Sequence, residues 1–235
     1  MSLRLDRFLG NAAGLTRTQA QRAVRAGDVC VDGTPVRDPS LHVTTAQTVT
    51  LSGRPLVIPG PRYLMLNKPA GYVSVTEDGA HPTVLDLIAE SYRHTLHAAG
   101  RLDLDTTGLV LLTDDGAWSH RITSPRRKCA KRYRVTLAEP IDEASATQLA
   151  AGVLLHGEAR STQPAHVEII GPTEVWLTIT EGRYHQVKRM VAAVGNHVVA
   201  LHRDRIGPVE LDPALGPGEY RALTPDEIAA LSACG

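Results

Sequence analysis

The chain has 235 residues, 43% hydrophobic and 21% charged, with 25 basic and 25 acidic side chains and no formal net charge. That composition excludes a disordered chain, and a length above the usual ~100–200 residues of one domain allows one large or two unequal domains. Zero net charge excludes a bulk pull toward nucleic acid or membrane, so any such attraction must come from local clustering.

Leu5, Phe8 and Leu9 recur at helical spacing and predict a first helix. Thr16 suits the N-cap of a second, whose apolar face is Ala20, Ala23 and Val24 and whose stop is Gly27. Val29-Cys30-Val31 then alternates into Asp32-Gly33, a tight-turn signal, with Val36 beyond it. Gly53 to Pro61 holds three prolines and two glycines and reads as a linker, so the expected domains are 1–59 and 60–235.

Beyond the linker, Tyr63 to Leu66, Leu109 to Leu112, Tyr133 to Leu137 and Val175 to Ile179 read as strands. Val84 to Ala89 suggests a short helix begun near Thr83, and Val187, Met190, Val191 and Val194 mark another from His185. Strands clustered with few helices between them predict an α+β fold rather than a doubly wound sheet.

The cysteines (Cys30, Cys129, Cys234) are odd in number and lack a Cys-x-x-Cys pair, so neither a disulfide framework nor a zinc site is expected. His94, His97, His120, His185, His197 and His202 sit at no metal-ligand spacing and read as core or surface residues. There is no signal-peptide pattern and no apolar run of the ~18 residues a membrane span needs, so a soluble, cytoplasmic chain without membrane contact is expected, a monomer by default.

Charge does cluster. Arg22 and Arg25 share a face of the second predicted helix, with Arg17 in its first turn. From Ser119 to Arg134 there are seven cations (Arg121, Arg126, Arg127, Lys128, Lys131, Arg132, Arg134) and no acid. A phosphate track and a solvated surface are both open readings, and the second run favours the track. The segment from Glu210 to the C-terminus is acidic and is expected to face away from any polyanion.

Asp103 and Asp105 lie in Gly100 to Leu109, a loop rich in Gly, Asp and Thr. Paired carboxylates suit glycosyl-bond chemistry, a magnesium site, or simple turn capping. Asp103-Leu104-Asp105-Thr106-Thr107 also satisfies the Asp-x-Asp-x-Thr pattern of haloacid-dehalogenase phosphatases. The residues before it, His97 to Arg101, are a poor match to the buried strand that family requires.

Longer patterns separate these readings. Leu5 to Leu9, Thr16 to Ala20 and Gly27 to Gly33 together resemble an S4 domain, a small RNA-binding module, with Thr16 where serine is usual. Asn67 to Gly71, Gly100 to Leu109, Lys131 to Val135 and Glu181 to Met190 resemble, in that order, the motifs of bacterial RNA pseudouridine synthases. With an S4 unit in front, and with Arg121 to Pro125, Val194 to Val199 and His202 to Gly207, the chain is similar to the branch acting on small-subunit (16S) ribosomal RNA. A large-subunit substrate and an idle S4-bearing ribosome-assembly factor are the alternatives.

The resemblance implies a catalytic domain with a mixed, largely antiparallel sheet, and isomerisation of a flipped-out uridine without cofactor or metal. It implies Asp103 as the catalytic carboxylate and Lys188 as its cation, where many relatives have arginine. Tyr133 would be the active-site aromatic and Arg101 a residue holding the extruded nucleotide, with Asp105 left to loop structure. Arg17, Arg22 and Arg25 become candidates for RNA contact, as do Arg126, Arg127, Lys128 and Lys131 on the track. The partner implied is small-subunit ribosomal RNA or its assembling ribonucleoprotein particle.

Overall fold

A computed structural model describes residues 2–44, 46–57 and 60–234, which form two compact units, 1–61 and 62–235. Residues 58 and 59, at the expected domain boundary, lie outside the described residues.

The first unit runs β1 (Ser2–Arg4), α1 (Leu5–Ala13), α2 (Arg17–Ala26), β2 (Val29–Val31), β3 (Thr34–Pro35), β4 (His42–Thr44), β5 (Val49–Leu51) and β6 (Arg54–Leu56). Thr16 caps α2 in a reciprocal box: its hydroxyl accepts from the Gln19 amide while the Gln19 side chain accepts from the Thr16 N–H. Asp32 and Gly33 both take positive φ (52° and 79°), the left-handed pair that a two-residue hairpin needs. Leu5, Phe8, Leu9, Ala20 and Val24 close over Val29, Val31, Val43 and Val49 as one small core. The expected linker is shorter than its composition suggested. Arg54–Leu56 pairs with β5 as an edge strand, and Pro55 is tolerated there because an edge has one unpaired side.

The second unit is built on a mixed, mostly antiparallel sheet, with the order β11-β12-β10-β13-β9-β7-β15 among the described residues. Its strands are β7 (Tyr63–Lys68), β8 (His97–Ala98), β9 (Thr107–Thr113), β10 (Lys131–Leu137), β11 (His166–Gly171), β12 (Glu174–Ile179), β13 (Val198–Ile206), β14 (Val209–Glu210) and β15 (Tyr220–Ala222). β8 pairs with β9 and β14 with β13, and among the described strands of this sheet only β13–β9 is parallel. Helices α3 (Gly116–Thr123), α4 (Glu143–Ala151), α5 (Gln186–Ala193) and α6 (Pro225–Ser232) cover it.

Strand patterning follows from which faces are covered. Leu64 and Leu66 with Val110 and Leu112 join one core, while Met65 with Leu109 and Leu111 joins a second that holds Trp118 and Leu231. Covered on both faces, β7 and β9 read as unbroken apolar runs. β10 instead alternates, burying Tyr133, Val135 and Leu137 and turning Arg132 and Arg134 the other way. Among the described residues no helix is long and apolar enough to cross a membrane.

Candidate active site

Gly100 to Thr106 leaves β8 and enters β9, and its backbone is fastened from three directions. Ser74 Oγ donates to the Leu102 carbonyl and accepts from the Leu102 N–H, both at 3.1 Å. From beneath, the Lys68 ammonium, with no exposed surface, donates to the carbonyls of Pro69 (3.1 Å), Leu104 (3.3 Å) and Thr106 (2.7 Å). Burial pulls the Lys68 pKa down to about 8, against the opposing pull of Asp105 and Asp103.

The third fastening is Arg203 on β13, which is 1% exposed. Its Nε donates to the Leu109 carbonyl (2.8 Å), and its terminal nitrogens donate to the carbonyls of Gly100 (2.7 Å) and Arg101 (3.3 Å). It also reaches the Tyr133 hydroxyl at 3.4 Å, with its guanidinium 5.9 Å from that ring's centre. Gly108 makes this approach possible. At φ 101° it lies so close to β13 that an added Cβ would stand 2.2 Å from the Arg203 carbonyl oxygen.

The Asp103 side chain, about one-third exposed, faces two bases. His185 Nε2 is 3.6 Å from one carboxylate oxygen and Lys188 Nζ is 3.7 Å from the other, both beyond hydrogen-bond length. Lys188 instead donates to both oxygens of Asp105, at 2.6 and 2.8 Å, and that bond holds the Asp105 carboxyl below the usual range. Asp103 to Thr106 is a turn closed by the Thr106 N–H on the Asp103 carbonyl (3.2 Å), so both carboxylates converge on one ammonium. The expected pairing is therefore modified: Lys188 sits beside Asp103, but its hydrogen bonds go to Asp105, which does more than shape the loop.

A cleft of about 450 Å³ gathers these groups: Arg101, Asp103, Thr106, Tyr133, His185, Lys188 and Arg203 all line it. Tyr133 presents a nearly buried ring from β10. The Thr106 hydroxyl is buried without a hydrogen-bond partner among the described residues. Arg101, Lys188 and Arg203 line the cleft beside Asp103, an excess of basic side chains suited to a polyanion.

The structure separates the basic run. Arg126, Arg127 and Lys128 are exposed on a turn, as a phosphate track requires. Lys131 is not on it: its side chain is buried on the Tyr133 face of β10, with the ammonium on the Cys129 carbonyl (2.9 Å). Arg132 pairs with Asp204 and Glu210, and Arg134 with Glu174. Strand alternation explains the split, since residues two apart share a face. In the first unit Arg17, Arg22 and Arg25 are exposed, Arg17 lying 3.8 Å from Asp6. Before Asp103 the described residues hold no buried parallel strand of the kind the phosphatase pattern requires, in line with the poor match of His97 to Arg101: β8 is two residues long and antiparallel to β9.

Arg203 and His185 line the cleft without a sequence motif that marks them. Arg203 lay inside a recognised stretch with no role attached, and nothing in a strand arginine's spacing announces burial. His185, grouped with the structural histidines, stood at the start of a predicted helix beside Lys188, which was the available signal.

The family model described as RNA pseudouridylate synthase matches residues 62–193, and the S4 domain model matches residues 3–49. "Ribosomal small subunit pseudouridine synthase A" of Escherichia coli K12 is 56% identical over 230 residues, covering 97% of this chain and 100% of that protein. The protein of the same description from Yersinia pestis is 55% identical over 232 residues, 98% of this chain and 99% of that one. A solved structure described as a pseudouridylate synthase matches with a TM-score of 0.71 at 50% identity, covering 97% of this chain and 99% of that chain.

Proposed function

From the premise that this chain belongs to the RNA pseudouridylate synthase family and carries an S4 domain, we propose that it isomerises a specific uridine of small-subunit ribosomal RNA to pseudouridine. The substrate is that in the names of the relatives from E. coli and Y. pestis. The observation that carries the assignment of roles is the Asp103 carboxylate, flanked by two bases yet hydrogen-bonded to neither.

In this reaction the bond from C1′ to uracil N1 breaks, the base turns, and C1′ joins C5, which gives up its proton while N1 takes one up. Whether the carboxylate attacks C1′ or takes a proton from C2′, it must be ionised, beside the sugar, and have a lone pair to offer. Lys188 and His185 stand 3.7 and 3.6 Å away and leave both oxygens without a hydrogen bond to either. Tyr133 offers a ring on which a flipped uracil stacks, its hydroxyl held by Arg203. Exposed Arg101 at the cleft takes a phosphate of the extruded nucleotide. Extrusion costs a few kcal/mol, which stacking and cationic contacts offset. Arg126, Arg127 and Lys128, and on the S4 domain Arg17, Arg22 and Arg25, contact phosphates of the RNA or its assembling particle. We read the enzyme as a monomer acting in the cytoplasm, where that RNA is.

The test is conversion of uridine in small-subunit RNA with a chelator present, by the wild type, Asp103→Asn and Asp105→Asn. Asp103→Asn should lose turnover by more than about a thousandfold and keep its RNA affinity, the pattern of a group needed only in the chemical step. Asp105→Asn should lose less than about tenfold, because Lys188 stays beside Asp103. Equal losses in both would overturn this division of roles between the two carboxylates.

A further inference from the structure

Tyr184 is unusual for an aromatic residue in a folded chain, with 72% of its surface exposed. It is nonetheless ordered by its neighbours. Its ring stacks on that of His185, with centroids 3.8 Å apart and planes 19° from parallel. Its carbonyl accepts from Arg189 (3.1 Å), while Arg183 just before it is tied to Glu158 and to the carbonyls of Arg160 and Ser161. His185 itself holds a left-handed backbone, φ 46° and ψ 39°, which costs a non-glycine residue stability and persists only where its surroundings enforce it. Both residues line the cleft, and His185 lies within 3.6 Å of Asp103. A braced pair of rings thus runs from the carboxylate to the solvent-exposed rim, ending in an uncovered aromatic face.

Resting on the reading that a uridine is extruded into this cleft, we propose that the Tyr184–His185 stack is a second nucleobase subsite, which receives the base next to the target uridine. Extrusion leaves that neighbour without its stacking partner. The outer face of Tyr184 replaces the lost stack, and the cationic surroundings hold the strand's phosphates nearby. Stacking discriminates little among bases, so the platform stabilises the opened strand rather than reading its sequence.

The experiment uses the full chain and an RNA fragment containing the uridine that the wild type converts. Tyr184→Ala should raise KM by roughly 5- to 150-fold, the range for losing one base–aromatic stack, with kcat little changed. Tyr184→Phe and Tyr184→Trp should restore KM, since the ring and not the hydroxyl is needed. Fragments made abasic on the 5′ or the 3′ side of the target should bind the wild type more weakly at one of the two positions. At that position Tyr184→Ala should add no further loss. An unchanged KM in Tyr184→Ala, failure of Phe to rescue, or additive losses at both positions would overturn the subsite. Wild-type enzyme that converts no uridine in any fragment would instead overturn the underlying function.

Discussion

Replacing Arg203 tests how far the active-site loop depends on one of its three fastenings, the buried guanidinium. The side chain satisfies three backbone carbonyls, those of Gly100, Arg101 and Leu109, and no carboxylate lies in ion-pair contact with it among the described residues. Arg203→Met leaves three carbonyls without that donor, and at about 1–3 kcal/mol per unsatisfied buried group the gross loss is about 3–9 kcal/mol. Removing a buried unpaired charge offsets part of it. A net loss of about 2–4 kcal/mol is expected, a large fraction of a stability of ~5–15 kcal/mol. Arg203→Lys keeps one or two of the bonds and should lose about 1–2 kcal/mol. Loop displacement of 1 Å lowers a rate about 100-fold, so both variants should convert uridine far more slowly even at temperatures where they are fully folded. Urea unfolding at constant m-value gives the stability, and single-turnover conversion of small-subunit RNA gives the rate. If Arg203→Met unfolded within about 0.5 kcal/mol of the wild type and turned over at its rate, the reasoning would fail.

Gly108→Ala puts a methyl group 2.2 Å from the Arg203 carbonyl at a φ of 101°. Strain and overpacking together should cost about 3 kcal/mol or more, read as a lowered melting temperature, whereas an unchanged one would refute the close approach. Lys68 has its folded pKa, about 8, below the unfolded value near 10.5. The unfolded chain therefore binds more protons across that window, and the group's contribution to stability increases from pH 8 to 10.5 and is lost as pH falls back through 8. Lys68→Met should abolish this increase, which is up to about 3 kcal/mol, and wild-type and variant stability curves parallel over pH 8–10 would argue against it. Thr16→Ala removes one half of the α2 capping box and should lower the S4 domain's stability by about 1 kcal/mol in denaturant titration, with an undetectable change contradicting the cap's role.

The elements that sequence made legible are those with a strong local signature. The Thr16 cap, the Asp32-Gly33 hairpin, the apolar runs of β7 and β9 and the start of α5 each follow from a few adjacent residues. Helices α3, α4 and α6 are not marked by an apolar face, because each buries only one to three residues, although Asp115, Asp142 and the Thr224–Glu227 box cap their starts locally. The same holds for β11, whose burial alternates between exposed and half-buried. Within the site, motif order brought Arg101, Asp103, Tyr133 and Lys188 to one cleft. Motif order gave no hint that Lys188 would bond Asp105 in preference to Asp103, since a turn and an extended loop share the same residues. Lys131 was misplaced for a related reason: charge density counts residues along the chain, while β10 sends alternate ones to opposite faces.

The parallel contact between β9 and β13 amounts to two residue pairs, Thr107 with His202 and Gly108 with Arg203. On one side of this narrow seam stand β15, β7 and β9, with the loop that bears Asp103; on the other stand β13, β10, β12 and β11, with Tyr133 and Arg203. Since chains are made from the N-terminus at about 5–20 residues per second, Asp103 leaves the ribosome several seconds before His185, Lys188 and Arg203 exist. A nascent chain long enough to carry a folded S4 domain and the bare carboxylate still has no catalytic assembly. By the proposed roles, the site is complete only when the second half of the sheet is released and closes the seam.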